Sequence, residues 1–529
     1  MATFLPEVSF ALQVTFTLVC LGIFLLYKFF TKHFDYWSTK GVTFIKPVPI
    51  FGSVTSSFLI KEHIVNIAQR WYQQYEGLPF IGYFQGRTPS LMVFDPELIA
   101  RITVKDFSHF TDHGLRIGGD PLQARNMFHS TGQRWKELRL KLIPTFTSGK
   151  LKGMFPLMLE SSDIFEKHLD KVAASKEAFD AKELIGRFFT DMVGSTIFGI
   201  DCNTLEEPHN QFRVMGQRLA TLSKTQAMKL ALIAYMPEIS LKLKLTVLDS
   251  DLRDFFFKLT KDLVEKRKKT NTVRKDFLQL LIELKEKGNV AIDDDDEDKR
   301  LKENFRPSET VFKFDDTDMT ALLIAFYLAG FDNTSSAATF ALLELALNPE
   351  VQRKVQLEID EFLMQNDGKV TYNALREMKY LEWVLYESMR KYPVVGIHGR
   401  VCTKKYTIPG TKVTLDEGVI ITIPNYALQN DAKYFPDPER FDPERFSADD
   451  ALHKYQYVYT PFGEGPRQCI GNRFALIQDK LALLSFLRRY SVKVNSKTQL
   501  PVKLNIKQFL LNAEGGIWLD LEKRATDQT

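Results

Sequence analysis

Cysteine is scarce in this chain: four residues among 529, at positions 20, 202, 402 and 469, none of them in a CxxC pair. That usage lacks the density of a disulfide scaffold and fits a reducing compartment. An excess of one charge sign is also missing, because 70 basic residues face 66 acidic ones for a net charge of +4, so no nucleic-acid footprint is expected. No GxGxxG follows a strand signal, which argues against an internal nicotinamide site. The first long apolar run, residues 10–30, has Glu7 but no Lys or Arg before it and no small-x-small site after it, unlike a cleaved signal peptide. It is also too apolar and too poor in arginine for a mitochondrial transit peptide.

That run, FALQVTFTLVCLGIFLLYKFF, carries a single charge at Lys28 and is long enough to cross a bilayer core of about 30 Å as a helix. It reads as a membrane anchor, and Lys28, Lys32 and Lys40 on its C-terminal side leave everything after it in the cytosol by the positive-inside rule. Next, FIKPVPIFGS at 44–53 is expected to form a stiff extended connector, because Pro47 and Pro49 alternate before Gly52. With 44% hydrophobic residues, the rest can build a sizeable core. The expected division is an anchor at 1–31, a proline-containing linker at 32–53 and a catalytic domain at 54–529.

Short β-type runs, FIGYFQG and SLMVFD, precede a helix-dominated stretch from about 130 to 395, and strand signals return at 406–423 and 503–521. Residues 285–307, with the acidic run at 293–297, read as a solvated loop without chemistry of its own. The segment TDMTALLIAFYLAGFDNTSSAATFALLELAL has no proline and is apolar nearly all round, the composition of a helix buried through the middle of a large domain. A second membrane span is disfavoured, since Asp332, Asn333 and Thr334 would fall inside the bilayer. The expected fold is mainly α with small β-sheets, a single large helical domain behind an N-terminal transmembrane anchor.

Within PFGEGPRQCIG, Cys469 lies between glycines just before the helical pattern NRFALIQDKLALLSFLRRY. A helix N-terminus favours thiolate over thiol, so Cys469 is either a soft metal ligand or, like most isolated cysteines, a small core residue. Glu387 and Arg390, in MKYLEWVLYESMRKYP, share a helix face. They form a surface ion pair or, joined by Arg445 from DPERFDPERF, a buried cluster that fixes the loop leading to Cys469. Trp135 and Arg139, spaced i, i+4 in GQRWKELRLKLIPTF, can aim an indole N–H and a guanidinium at one anion. Arg467 and Arg400 supply further positive charge, though each taken alone is more ordinary as a solvated or core-edge residue. Converging near one thiolate, these four would suit a flat ligand that carries carboxylates and a metal, which describes haem.

Together, Phe462-x-x-Gly465-x-Arg467-x-Cys469-x-Gly471, Glu387-x-x-Arg390, Pro443-Glu444-Arg445-Phe446, Trp135-x-x-x-Arg139 and Ala329-Gly330-x-Asp332 resemble the signature set of the cytochrome P450 monooxygenases, in that family's order. PTFTSGK at 144–150 and AEGGIWL at 513–519 further resemble the insect microsomal branch associated with foreign compounds. The resemblance implies haem b as cofactor, with the Cys469 thiolate as axial ligand donating electron density that favours O–O cleavage. It implies that Trp135, Arg139, Arg400 and Arg467 hold the propionates, that Phe462 shields the thiolate, and that Glu387, Arg390 and Arg445 form a structural cluster. It implies an endoplasmic-reticulum enzyme inserting one oxygen atom from O2 into lipophilic molecules. Electrons would come from a membrane-bound NADPH–cytochrome reductase, with a small cytochrome b as a further partner. A basic face of Arg134, Lys136, Lys141, Lys480, Arg488 and Arg489 would meet the reductase. Substrate determinants would lie at 115–128, 212–222, 326–329, 394–398 and 510–512, mostly apolar, with His398 expected to satisfy itself on the backbone.

Asp332 is followed by Asn333 where most of the family carries a threonine, and the hydroxyl arrives one position later as Thr334. One helical step rotates a side chain by about 100°, so Thr334 cannot take that place, whereas Asn333 can still hold a water through its amide. Asp332, Asn333 and Thr334 are the expected catalytic group, with turnover partly uncoupled to peroxide. A haem-thiolate isomerase or dehydratase, which rearranges peroxides without a reductase, is the alternative that the altered residue keeps open.

Overall fold

The computed structural model describes residues 4–114, 120–221, 223–290, 313–508 and 510–524. The acidic run at 293–297, residues 115–119 and Leu222 lie outside the described residues. The architecture is the expected one, mainly helical with small sheets.

Helix α1 (Phe4–Thr31) contains a 20-residue window, Leu12–Thr31, of mean hydropathy 1.9 with none of it buried, so it is long and apolar enough to cross a membrane. The chain then folds directly onto the body. Trp37 is fully buried and donates from Nε1 to the Tyr83 carbonyl at 3.0 Å, while Lys40 Nζ reaches the Thr414 carbonyl at 2.7 Å. Gly82 makes room for this, because a Cβ there would stand 2.5 Å from Trp37 Cγ. Ile45 N–H donates to the Gly82 carbonyl at 2.9 Å and Ser53 N–H to that of Phe84 at 2.8 Å. The proline segment is therefore extended but docked, as an added edge on a sheet.

That sheet runs in the order β1 (Phe80–Gln85), β2 (Thr88–Val93), β7 (Ile420–Ile423), β4 (His398–Val401), with β2 and β7 parallel. A second sheet joins β3 (Phe179–Asp180), β9 (Trp518–Lys523) and β8 (Tyr490–Val494), and β5 (Tyr406–Thr407) pairs with β6 (Thr414–Leu415).

The helical body is organised on α5 (Asp316–Leu328) and α6 (Thr334–Leu347), joined by a π-helical turn over Ala329–Asn333. The acids ahead of the apolar run cap it: Asp315 Oδ1 accepts from Asp318 N–H at 2.9 Å and Asp318 Oδ2 from Asp315 N–H at 3.1 Å. Helix α6 packs against α4 (Ala181–Val193), α7 (Lys379–Lys391) and α8 (Asn472–Leu487), and α3 (Ser148–Ser175) lies on α4 and α8. Gly330 allows the close approach to α4, since a Cβ on it would stand 3.0 Å from Val193 Cγ2.

Two histidines set an acid limit on this packing. Burial lowers both His63 and His129, the latter to about 4. A histidine whose folded value lies below its unfolded value of about 6.5 contributes stability that is complete above that pH and lost as pH falls toward the folded value. For His129 the loss is about 1.4 kcal/mol per pH unit between those two values. The urea midpoint is therefore expected to drop between pH 7 and pH 5, and His129→Gln to flatten that slope.

Candidate active site

Cys469 stands three residues ahead of α8, in a loop that only glycine permits. Gly463 and Gly465 adopt φ of +72° and +71°, and a Cβ on Gly465 would collide with the Thr103 carbonyl oxygen. Cys469 N–H donates to the Phe462 carbonyl at 2.8 Å, and the Gln468 carbonyl accepts from Arg139 Nη2 at 2.8 Å. The Cys469 residue is accessible although the body surrounds it. Burial pushes the thiol up, against the lowering by the Gly471 amide and the Arg139 charge. Proximity to the helix start thus does not by itself make the expected thiolate, because desolvation outweighs it. A coordinated metal cation deprotonates such a thiol outright.

Trp135 and Arg139 lie one turn apart on α2 (Gly132–Leu142). The Arg467 guanidinium carbon sits 4.0 Å from the Trp135 ring centroid, and Arg467 donates to the carbonyls of Thr111 at 2.8 Å, Met127 at 3.2 Å and Ser130 at 2.8 Å. Arg400, on β4, is 3% exposed and donates to the Gly399 carbonyl at 2.9 Å. Burial lowers Arg467 to about 9, Arg400 to about 10, and Arg139 as well. Among the described residues, the one ion pair these three guanidiniums make is Arg467 with Asp112, at 3.6 Å. Trp135 Nε1 and Arg400 Nε are buried without a partner. Surplus buried positive charge and two orphaned N–H donors beside an accessible thiol fit a ligand that brings both a metal and carboxylates. The residues present therefore fit haem.

His398 opens β4, and its ring makes no hydrogen bond among the described residues, so the expected backbone bond is not formed. Burial and the Arg400 charge hold it neutral at about 3, with Cε1 3.8 Å from where a Gly463 Cβ would stand.

Phe146 bridges the cysteine loop and the central helix: its ring centroid is 5.2 Å from that of Phe326, and its Cε1 is 3.7 Å from the Cβ position of Gly471. Between Met319 and Leu345 the one exposed residue is Ala329, and Asn333 follows it by one turn. The Asn333 amide makes no hydrogen bond among the described residues. Thr334 is buried and donates its hydroxyl to the Gly330 carbonyl at 2.6 Å. Asp332 is paired with Lys182 of α4, Oδ1 to Nζ 2.9 Å. The three expected catalytic side chains thus diverge, and sequence reasoning missed Lys182, which lies 150 residues away from its partner.

Glu387 and Arg390 are not a surface pair. Both side chains are fully buried. Glu387 accepts from Arg390 Nε at 2.8 Å, Arg445 Nε at 3.3 Å and Asp442 N–H at 3.0 Å. Arg390 Nη1 donates to the Gln429 carbonyl at 3.0 Å, and Gln429 Oε1 accepts from Thr460 N–H at 3.2 Å, one residue before the cysteine loop begins. Lys480, in contrast, leaves the expected basic face. It is 3% exposed, with Nζ on the Met378 carbonyl at 3.0 Å and Glu382 at 2.7 Å. A helix apolar on nearly every side buries its lysine with the rest.

Residues 43–519 match the family model for cytochrome P450. The chain is 36% identical to Cytochrome P450 9e2 of Blattella germanica over 520 residues, 95% of this chain and 96% of that protein. It is 34% identical to Cytochrome P450 6a2 of Drosophila melanogaster, over 94% of this chain and 97% of that one. Cytochrome P450 6B1 of Papilio polyxenes is 33% identical over the same shares. By its loop chemistry and by likeness along almost its whole length, this chain belongs to the cytochrome P450 family, as a monooxygenase that carries haem b.

Proposed function

We propose that this monooxygenase inserts one atom of O2 into lipophilic small molecules at the endoplasmic-reticulum membrane. Electrons pass from NADPH through a membrane-bound reductase, with a small cytochrome b as a further donor. Residues 1–31 anchor a body at 54–529 through the segment 32–53. The observation that carries the reading is the surplus of buried guanidinium charge and orphaned N–H donors around one accessible thiol. Cys469 would bind the haem iron through its thiolate, Trp135, Arg139, Arg400 and Arg467 would hold the propionates, and Phe462 would pack beside the thiolate. Haem b, when bound, supplies the activation of O2.

Proton handling falls to Asn333. Its amide both donates and accepts, so it can hold a water on the exposed face shared with Ala329, while the Thr334 hydroxyl is spent on its own helix. An amide relays a proton less readily than a hydroxyl, so part of the electron flow is lost as hydrogen peroxide. Asn333→Thr is expected to raise product per NADPH and lower peroxide by about 2–10-fold, a fraction of what a positioned proton donor contributes. Unchanged coupling would mean that Asn333 is neutral. The reading as a whole is tested by reconstituted turnover of a panel of lipophilic compounds with NADPH, O2 and reductase, after recording the thiolate band of the reduced carbon monoxide complex. Product formed from hydroperoxide alone would favour the isomerase or dehydratase instead.

A further inference from the structure

One ammonium group packs against the π-helical turn, on a side chain that is 26% exposed. Lys182, in the first turn of α4, places Nζ 2.9 Å from Asp332 Oδ1, 2.6 Å from the Asp332 carbonyl oxygen, 2.9 Å from Ser335 Oγ and 2.6 Å from Ser336 Oγ. Ser335 Oγ and Ser336 Oγ also lie 3.2 Å and 3.0 Å from that carbonyl, so the ammonium and the Ser335 hydroxyl converge on one main-chain oxygen, while the single hydroxyl hydrogen of Ser336 serves either that oxygen or Asn512. The Asp332 carbonyl sits where a widened turn interrupts the regular helical ladder. Ser336 Oγ is in addition 2.9 Å from Asn512 Oδ1, in the segment 510–512 of the expected substrate side. Burial lowers Lys182, opposed by Asp332 and Asp180 and reinforced by Arg213.

We propose that Lys182 is a positioning residue for oxygen activation. It locks the π-helical turn and holds the Asp332 carboxylate against α4, leaving Asn333 as the polar side chain of the turn without a partner among the described residues. Through Ser336 and Asn512 it also ties that turn to the substrate-side loop. The inference rests on the reading of Asp332 and Asn333 as the proton-handling pair. Without the ammonium, a carboxylate that is 14% exposed loses its counter-charge and the Asp332 carbonyl loses its shortest donor, so the turn relaxes and the amide loses its aim.

The test uses the haem-loaded full chain with its reductase. Lys182→Met is expected to lower product per NADPH by about 10-fold at equal haem content and unchanged KM, below the 10²–10⁴ that a positioned proton donor itself supplies. In an Asp332→Asn background the same substitution is expected to cost less than it does alone, since the ion pair is already gone and only the contacts to the Asp332 carbonyl and the serines remain to be lost. Independently of turnover, amide hydrogen exchange across 329–336 in the resting protein should quicken in Lys182→Met and stay unchanged in the helix Pro349–Gln365. Unaltered exchange and coupling in a haem-replete Lys182→Met would overturn the proposal. If Asp332→Asn alone leaves coupling intact, the role of Asp332 falls, whereas the exchange result still decides the tether. Should Lys182→Met not retain haem, Ser336→Ala keeps the ion pair but cuts the link to Asn512. Faster exchange over 329–336 then supports the tether and unchanged exchange sinks it.

Discussion

Cys469→Ser is expected to abolish oxygen insertion and the thiolate band of the reduced carbon monoxide complex while the protein remains folded. The loop does not depend on sulfur for its shape: the bond closing it runs from the Cys469 N–H to the Phe462 carbonyl, and Gly463 and Gly465 provide the bends. No other thiol can take over. Cys20 lies in α1, and Cys202 and Cys402 are buried elsewhere, with burial pushing both up, Cys402 to about 11. A hydroxyl cannot supply the same electron density to a metal, so the loss should exceed the roughly 10–100-fold typical of outer-shell partners. Circular dichroism separates this from misfolding, and a persistent thiolate band would overturn the assignment of Cys469.

The second large effect is expected at Glu387→Gln. The substitution keeps shape and removes charge, leaving Arg390 fully buried and Arg445 nearly so without their carboxylate. Breaking a buried pair in this way costs roughly 3–5 kcal/mol, even though the intact cluster adds little net stability over an apolar one. The damage should reach the haem, because Arg390 holds the Gln429 carbonyl and the Gln429 side chain holds Thr460, next to the loop. A lower urea midpoint together with haem loss during purification is the expected result. A variant as stable and as haem-replete as the parent would reduce the cluster to filler.

What could be read from the chain alone follows physical range. The central helix was legible because thirty apolar residues without proline have few other solutions, and its acids are local caps. Trp135 with Arg139 and Glu387 with Arg390 were legible because each pair sits on one helix face. The π-helical turn was not, since nothing in Ala329–Asn333 announces an extra residue per turn, and the Lys182 that meets its Asp332 carbonyl comes from another helix. Lys480 was misplaced for a related reason, as its partners Met378 and Glu382 come from a distant segment. The thiol at 469 was judged from its helix, but desolvation by the whole body outweighs that local field.

The docked connector has a mechanical consequence. Trp37 and residues 44–53 are seamed into the same sheet that carries Arg400 and His398, and Arg87, at the turn between β1 and β2, lies 4.0 Å over the Phe29 ring of α1. Helix α1 and the sheet then turn together as a lever. A force that tilts α1 rotates that sheet, with Arg400 and His398 on it, instead of flexing a tether.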